Sequence, residues 1–133
     1  MNIDKMLNAD LYDKGIYGIY VKNKLVYVGM TMDSFNRRFR SHRRHINEVM
    51  NGRYNGGNRH LYVALARYVI DGKNIEFRPL ICLSKLNIQE ESVRCNPQLT
   101  RRDVECMELA FISYFKPILN IQGIYTEYPL DRN

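Results

Sequence analysis

Two β-rich runs with almost no chain between them constrain the fold more than any other feature. Residues 15–22 read GIYGIYVK and residues 24–29 read KLVYVG. Both are dense in Ile, Val and Tyr, side chains that suit a pleated, half-buried surface. The polar break near Lys22-Asn23-Lys24 leaves room only for a tight reversal, so the runs predict an antiparallel β-hairpin. An isolated two-stranded ribbon is at best marginally stable in water. The rest of the chain must therefore cover it.

The sequence supplies that cover in order. Asp33 or Ser34 can cap a helix, and Phe35, Phe39, Ile46, Val49 and Met50 then recur at one-face helical spacing. Gly52 is expected to stop this helix, and Tyr54-Asn55-Gly56-Gly57-Asn58 to form a loop. From His60 to Ile70, the positions Leu61, Leu65, Tyr68 and Val69 predict a second amphipathic helix, ended by Asp71-Gly72. Residues 75–83 (IEFRPLICL) predict a strand, and Pro79 within it requires an edge position or a bulge. Residues 84–99 are polar and weakly patterned and read as an inserted loop. Thr100-Arg101-Arg102-Asp103 fits a capping box. The helix it opens carries Val104, Met107, Leu109 to Ile112 and Phe115, and stops at Pro117. At the ends, a helical turn is expected around Asp4 to Leu11, and a short strand or extended arm over 121–133. A chain of 133 residues holds one ordinary domain, 1–133, with its core at about 15–122. The expected class is α/β (α+β): a small, three-stranded antiparallel sheet flanked by helices.

Composition matters chiefly through where the charge lies. Between Phe35 and His60 stand Arg37, Arg38, Arg40, Arg43, Arg44, Arg53 and Arg59, against one acid, Glu48. That window accounts for the whole net charge of +6, because the 13 basic and 13 acidic residues elsewhere cancel. Arginine is suited to bidentate phosphate contact. An all-arginine cluster of one sign points to a polyanion partner. The plainer alternative is a solvated helix face that aids solubility, but such faces normally mix signs. No apolar run reaches the length that spans a bilayer, and MNIDKMLNADLYDKG lacks the apolar core of a secretory signal. Cys82, Cys95 and Cys106 have no ligand-like spacing. They read as reduced thiols in a cytoplasmic protein.

A few polar side chains then stand out. Tyr17 and Tyr27 lie ten residues apart in the hairpin and are expected to face each other across the ladder, although core or rim aromatics would look the same. Arg38 and His42 share one face of the first helix at i, i+4, a pair that is often mere surface decoration. Glu108 sits among Met107, Leu109, Ala110, Phe111 and Ile112. A carboxylate in such company needs a buried base or a cation.

The order of these residues resembles the GIY-YIG nuclease superfamily. Gly15-Ile16-Tyr17 and Tyr27-Val28-Gly29 resemble its signature, with Val for the central Ile. Thr31 and Arg38-Phe39-Arg40-Ser41-His42 look like the continuation, and Glu108 to Ile112 with Pro117 and Asn120 looks like its metal-binding helix and ending. The resemblance implies a divalent-metal-dependent endonuclease that hydrolyses phosphodiester bonds in DNA. Tyr17 and Tyr27 would sit beside the phosphate and the attacking water. One of them would act as base, its pKa lowered by Arg38, His42 and the metal, or would orient that water. Arg38 would stabilise the transition-state charge, and His42 would assist proton transfer or hold a tyrosine. Glu108 would ligate one Mg2+ or Mn2+, Asn120 would brace the site, and Gly29 would allow close backbone approach. Arg38 is preferred to Arg37 by its spacing to His42. Glu108 is preferred to Glu105 because it precedes Pro117 by nine residues and Asn120 by twelve. Arg37, Arg40, Arg43, Arg44, Arg53 and Arg59 are the expected nucleic-acid contacts. Two departures from the family are a tighter hairpin turn and Met30 where some relatives carry a lysine.

The competing expectation is a catalytically silent nucleic-acid-binding module of the same fold. The partner expected is DNA, whether single-stranded, duplex or branched, for a monomer or homodimer with no membrane role. With no room for an appended recognition domain, short-site or structure-selective cutting is expected, aided by residues 84–99.

Overall fold

A computed structural model describes residues 10–86 and 100–120. Three strands, β1 (Gly15–Val21), β2 (Lys24–Thr31) and β3 (Ile75–Cys82), form one antiparallel sheet in the order β2-β1-β3. Helices α1 (Phe35–Met50) and α2 (Arg59–Ile70) connect β2 to β3. A helical turn, α3 (Leu83–Leu86), follows β3, and α4 (Arg101–Phe115) comes last of the long elements. The fold is therefore the expected small α+β domain. The stretch read as a loop from residue 84 begins instead inside α3. Residues 87–99, the leading segment before Asp10 and the tail 121–133 lie outside the described residues.

The strand pattern divides the protein into two faces. Tyr17, Ile19 and Val21 of β1 point to one side, where they pack with Phe35, Phe39 and Ile46 of α1 and Leu61, Tyr62, Leu65 and Ala66 of α2. Ile16 of β1 and Val28 of β2 point to the other side, against Leu83 of α3 and Val104 of α4. Strand alternation alone produces this split. The α1–α2 side is fully covered, whereas only Val104 of α4 is buried. Leu109 and Tyr114 on α4 are exposed. Among the described residues, no helix is long and apolar enough to cross a membrane.

Local chemistry explains the element ends. Ser34 caps α1 by accepting from the Arg37 amide. Thr100 and Asp103 form the reciprocal capping box expected for α4. Lys22 and Asn23 both take positive φ, the geometry that lets a two-residue turn match strand twist. Pro79 meets both of its conditions. It lies in an edge strand, and the β1–β3 register slips beside it, so that Ile16 opposes Ile81 and Tyr17 opposes Pro79.

The hairpin register differs from the expected one. Tyr17 opposes Gly29, and Tyr27 opposes Ile19, so the two tyrosines are diagonal neighbours on one face. Two one-residue displacements produce the change. The turn is centred between Lys22 and Asn23, and Val26 is bulged, since Ile19 opposes Tyr27 but Tyr20 opposes Leu25. Gly29 is needed for this geometry: a Cβ there would lie 2.5 Å from Tyr17 Oη. The tyrosine ring lies across the glycine backbone.

Candidate active site

The α1–α2 face encloses a polar chain inside an otherwise aromatic core. Tyr17 Oη lies 2.6 Å from His42 Nε2, and His42 Nδ1 lies 2.8 Å from Tyr62 Oη. Arg38 Nε donates to Tyr17 Oη at 3.3 Å. Thus the i, i+4 spacing of Arg38 and His42 does bring both side chains onto the first tyrosine. The rings of Phe35 and Phe39 stand edge-on to Tyr17, and Phe77 stacks parallel to His42. Tyr17 and His42 are both 0% exposed, which raises the cost of an unmatched polar atom at either.

Burial dominates the protonation of this chain. It pushes the Tyr17 phenol well above its ordinary value, aided by neighbouring Tyr27 and only partly offset by Arg38. Burial, then Arg38 and His45, press His42 down to about 3, so the imidazole is neutral at physiological pH. These shifts correct the expectation that His42 supplies positive charge to activate a phenol. Among the described groups, Arg38 is the charge that favours the phenolates of Tyr17 and Tyr27, and burial outweighs it in both.

Tyr27 occupies a different setting. It is half-buried, and its hydroxyl is pushed up to about 12 by burial and then by the negative charge of Glu108. The charge of Glu108 acts on Tyr27 and Tyr17, and that of Arg38 on Glu108, from a helix that packs against β2 and β1. Glu108 is itself half-buried, and its pKa is raised, first by burial and then by Glu105, against the pull of Arg101 and Arg38. No described residue forms an ion pair or hydrogen bond with it. Glu105, by contrast, is spent on Arg101 at 3.1 Å.

Asn120 acts as a brace on β2. Its Oδ1 accepts from the Val28 amide at 2.8 Å, and its Nδ2 donates to the Val28 carbonyl at 3.0 Å. Because β2 is an edge strand, these backbone groups would otherwise lack a partner strand. The brace lies one residue from Tyr27.

Arg38 also reaches open space. It lines a cleft of about 570 Å³ together with Met30, Thr31, Met32, Asp33 and Arg101. The cleft therefore holds one arginine from each helical layer. Arg37 turns outward to an exposed ion pair with Asp33 at 3.1 Å, which separates the two candidates. The remaining arginines, Arg40, Arg43, Arg44, Arg53 and Arg59, are exposed. Arg37, Arg40 and Arg44 follow one helical stripe on the solvent side of α1. Arg44 meets Glu48 at 3.8 Å, and Arg43 lies over the Phe77 ring.

Two site neighbours escape the sequence reading. Tyr62 was not among the apolar positions assigned to α2, and Arg101 is legible only as part of a capping box. Tyr62 lies one residue after Leu61, on the buried stripe Leu61, Tyr62, Leu65, Ala66.

For a metal, the donor set is sparse. Among the described residues no three or more His, Cys, Asp or Glu side chains gather into a cation-binding group. One half-buried carboxylate without a partner among the described residues nevertheless fits Mg2+, which keeps several waters and commonly takes one or two carboxylates plus substrate phosphate. Comparisons of the chain with protein-family models, with curated proteins and with solved structures gave no match.

Proposed function

We propose that this chain is a divalent-metal-dependent DNA endonuclease of the GIY-YIG type. The observation that carries the reading is the convergence of Arg38 Nε and His42 on the Tyr17 hydroxyl, with Glu108 carried by the helix that packs on the same strands from the opposite layer. The reading joins this geometry to the order of the sequence motifs.

Each residue has a role that follows from its surroundings. Arg38 spends one N–H on Tyr17 and keeps four for a phosphate. Because it is held by a buried partner, its guanidinium is preorganised for the charge that builds in the transition state. Tyr17 and His42 serve as the mount for that arginine. Tyr27, the more accessible phenol, remains protonated near neutrality. It holds the attacking water through its hydroxyl rather than acting as a strong base. Glu108 would hold a single Mg2+ or Mn2+, which when bound supplies Lewis acidity at the phosphoryl oxygen. Asn120 keeps the Tyr27 segment of β2 in place. Arg101 extends the phosphate-binding cleft, and the exposed arginines of α1 attract the polyanion at longer range.

Supercoiled plasmid tests the proposal. The protein with Mg2+ should convert it to nicked or linear form, while EDTA or Glu108→Ala abolishes conversion. Salt-sensitive DNA binding with no metal-dependent cutting, equal in protein and variant, would instead leave a binding module.

A further inference from the structure

The hydrogen-bond chain through His42 does not end at the residues used above. Arginine can only donate, so Tyr17 Oη accepts from Arg38 Nε. A neutral imidazole has one N–H, and His42 has a phenol at each nitrogen. Only two consistent orders exist. Either Tyr17 donates to Nε2 and Nδ1–H donates to Tyr62, or Tyr62 donates to Nδ1 and Nε2–H donates to Tyr17.

Each order leaves one O–H without a partner in the chain. In the first it is the Tyr62 hydroxyl, whose ring packs against the half-buried His45 and Tyr54. In the second it is the Tyr17 hydroxyl, walled in by the buried rings of Phe35 and Phe39. An orphaned buried donor bears its full desolvation penalty. Tyr62 is 2% exposed against 0% for Tyr17, and its half-buried neighbours put its hydroxyl nearer to water than the Tyr17 hydroxyl, so the first order is favoured.

We propose that Tyr62 is a positioning residue of this site: by accepting Nδ1–H it holds His42 as the Nδ1–H tautomer, presents bare Nε2 to the Tyr17 O–H, and thereby fixes the lone pair that receives Arg38. The chain runs Arg38 to Tyr17 to His42 to Tyr62, each donating to the next. Tyr62 comes from α2, Tyr17 from β1, and Arg38 and His42 from α1. The device thus ties three elements to one guanidinium. The consequence for catalysis rests on the nuclease reading above; the order of the hydrogen bonds does not.

The test is the tautomer itself, read from imidazole 15N shifts of the full-length protein at pH 7. His42 should report protonated Nδ1 and unprotonated Nε2. In Tyr62→Phe, Nδ1–H loses its acceptor, and an Nε2–H population should emerge. Tyr54→Phe removes a neighbouring hydroxyl outside the chain and should leave the tautomer alone. In single-turnover cleavage, Tyr62→Phe should slow the chemical step by about tenfold, the size of one lost hydrogen bond, with DNA affinity unchanged. A wild-type Nε2–H tautomer, or a Tyr62→Phe spectrum still wholly Nδ1–H, overturns the proposal. Should Tyr62→Phe fail to fold in a thermal melt, the wild-type spectrum alone decides. If the tautomers behave as expected while no form of the protein cuts DNA, the nuclease reading fails and the role of Tyr62 in holding Arg38 stands.

Discussion

The two faces of the sheet treat their polar groups in opposite ways. Under α1 and α2, Tyr17, His42 and Tyr62 are packed among aromatic rings, and each has a hydrogen-bond partner. Under α4, Glu108 is half-buried with no described partner, on a helix whose outer residues stay exposed. A continuous hydrogen-bonded network inside a packed core gives rigid placement. A half-buried carboxylate with no partner among the described residues can ligate a cation. On the proposed reading, one face aims Arg38, and the other would hold a cation.

The largest expected effect breaks the aiming side. Arg38→Ala should lower single-turnover cleavage by about 10²–10³, or roughly 3–4 kcal/mol, by analogy with the loss of one preorganised oxyanion donor. A loss below about threefold would show that Arg38 does not touch the reacting phosphate.

Acid should undo the same face next. His42 has a folded value near 3 against 6.5 free, so the unfolded chain binds the extra proton. Stability tied to a neutral His42 is complete above about pH 6.5 and is lost as pH falls toward 3, by at most about 1.4 kcal/mol per pH unit. Urea melts at several pH values should show a shallower decline in His42→Gln. Parallel curves would mean that the ring is not held neutral by burial.

The close packing of Tyr17 on Gly29 gives a smaller effect. Gly29→Ala forces a methyl against the tyrosine ring and should cost about 1–3 kcal/mol, as overpacking usually does. An unchanged urea midpoint would imply that Tyr17 has another place to go.

The open face predicts the smallest change, and one of opposite sign. Folding raises the Glu108 pKa, so above the unfolded value its charge works against the native state. Glu108→Gln should therefore stabilise the metal-free protein, by less than about 1 kcal/mol given its partial exposure, while it removes activity. Calorimetry that finds the variant less stable would point to a structural partner for the carboxylate.

Much of this division was legible in the chain. Hairpin, helix caps and the Phe35–Phe39–Ile46 face follow from local spacing, and so does the pairing of Arg38 with His42. What escaped needed three dimensions. The tyrosine register turned on a turn centre and a bulge at Val26, neither of which alternation reveals. Tyr62 escaped because an apolar face drawn through Leu61, Leu65, Tyr68 and Val69 is rotated from the buried stripe, which includes Tyr62 and Ala66. Protonation states were misread for a related reason. A positive neighbour lowers a phenol only if burial does not outweigh it, and burial is a property of the assembled core.

The claim that the two faces meet at one cation is open to direct measurement with Mn2+ as a paramagnetic probe. Titrated into 15N-labelled protein, Mn2+ should broaden signals of Tyr27, its β2 neighbours and the α4 turn around Glu108, and Glu108→Gln should abolish that broadening. Broadening centred on other acidic residues, or unchanged in the variant, would contradict the account.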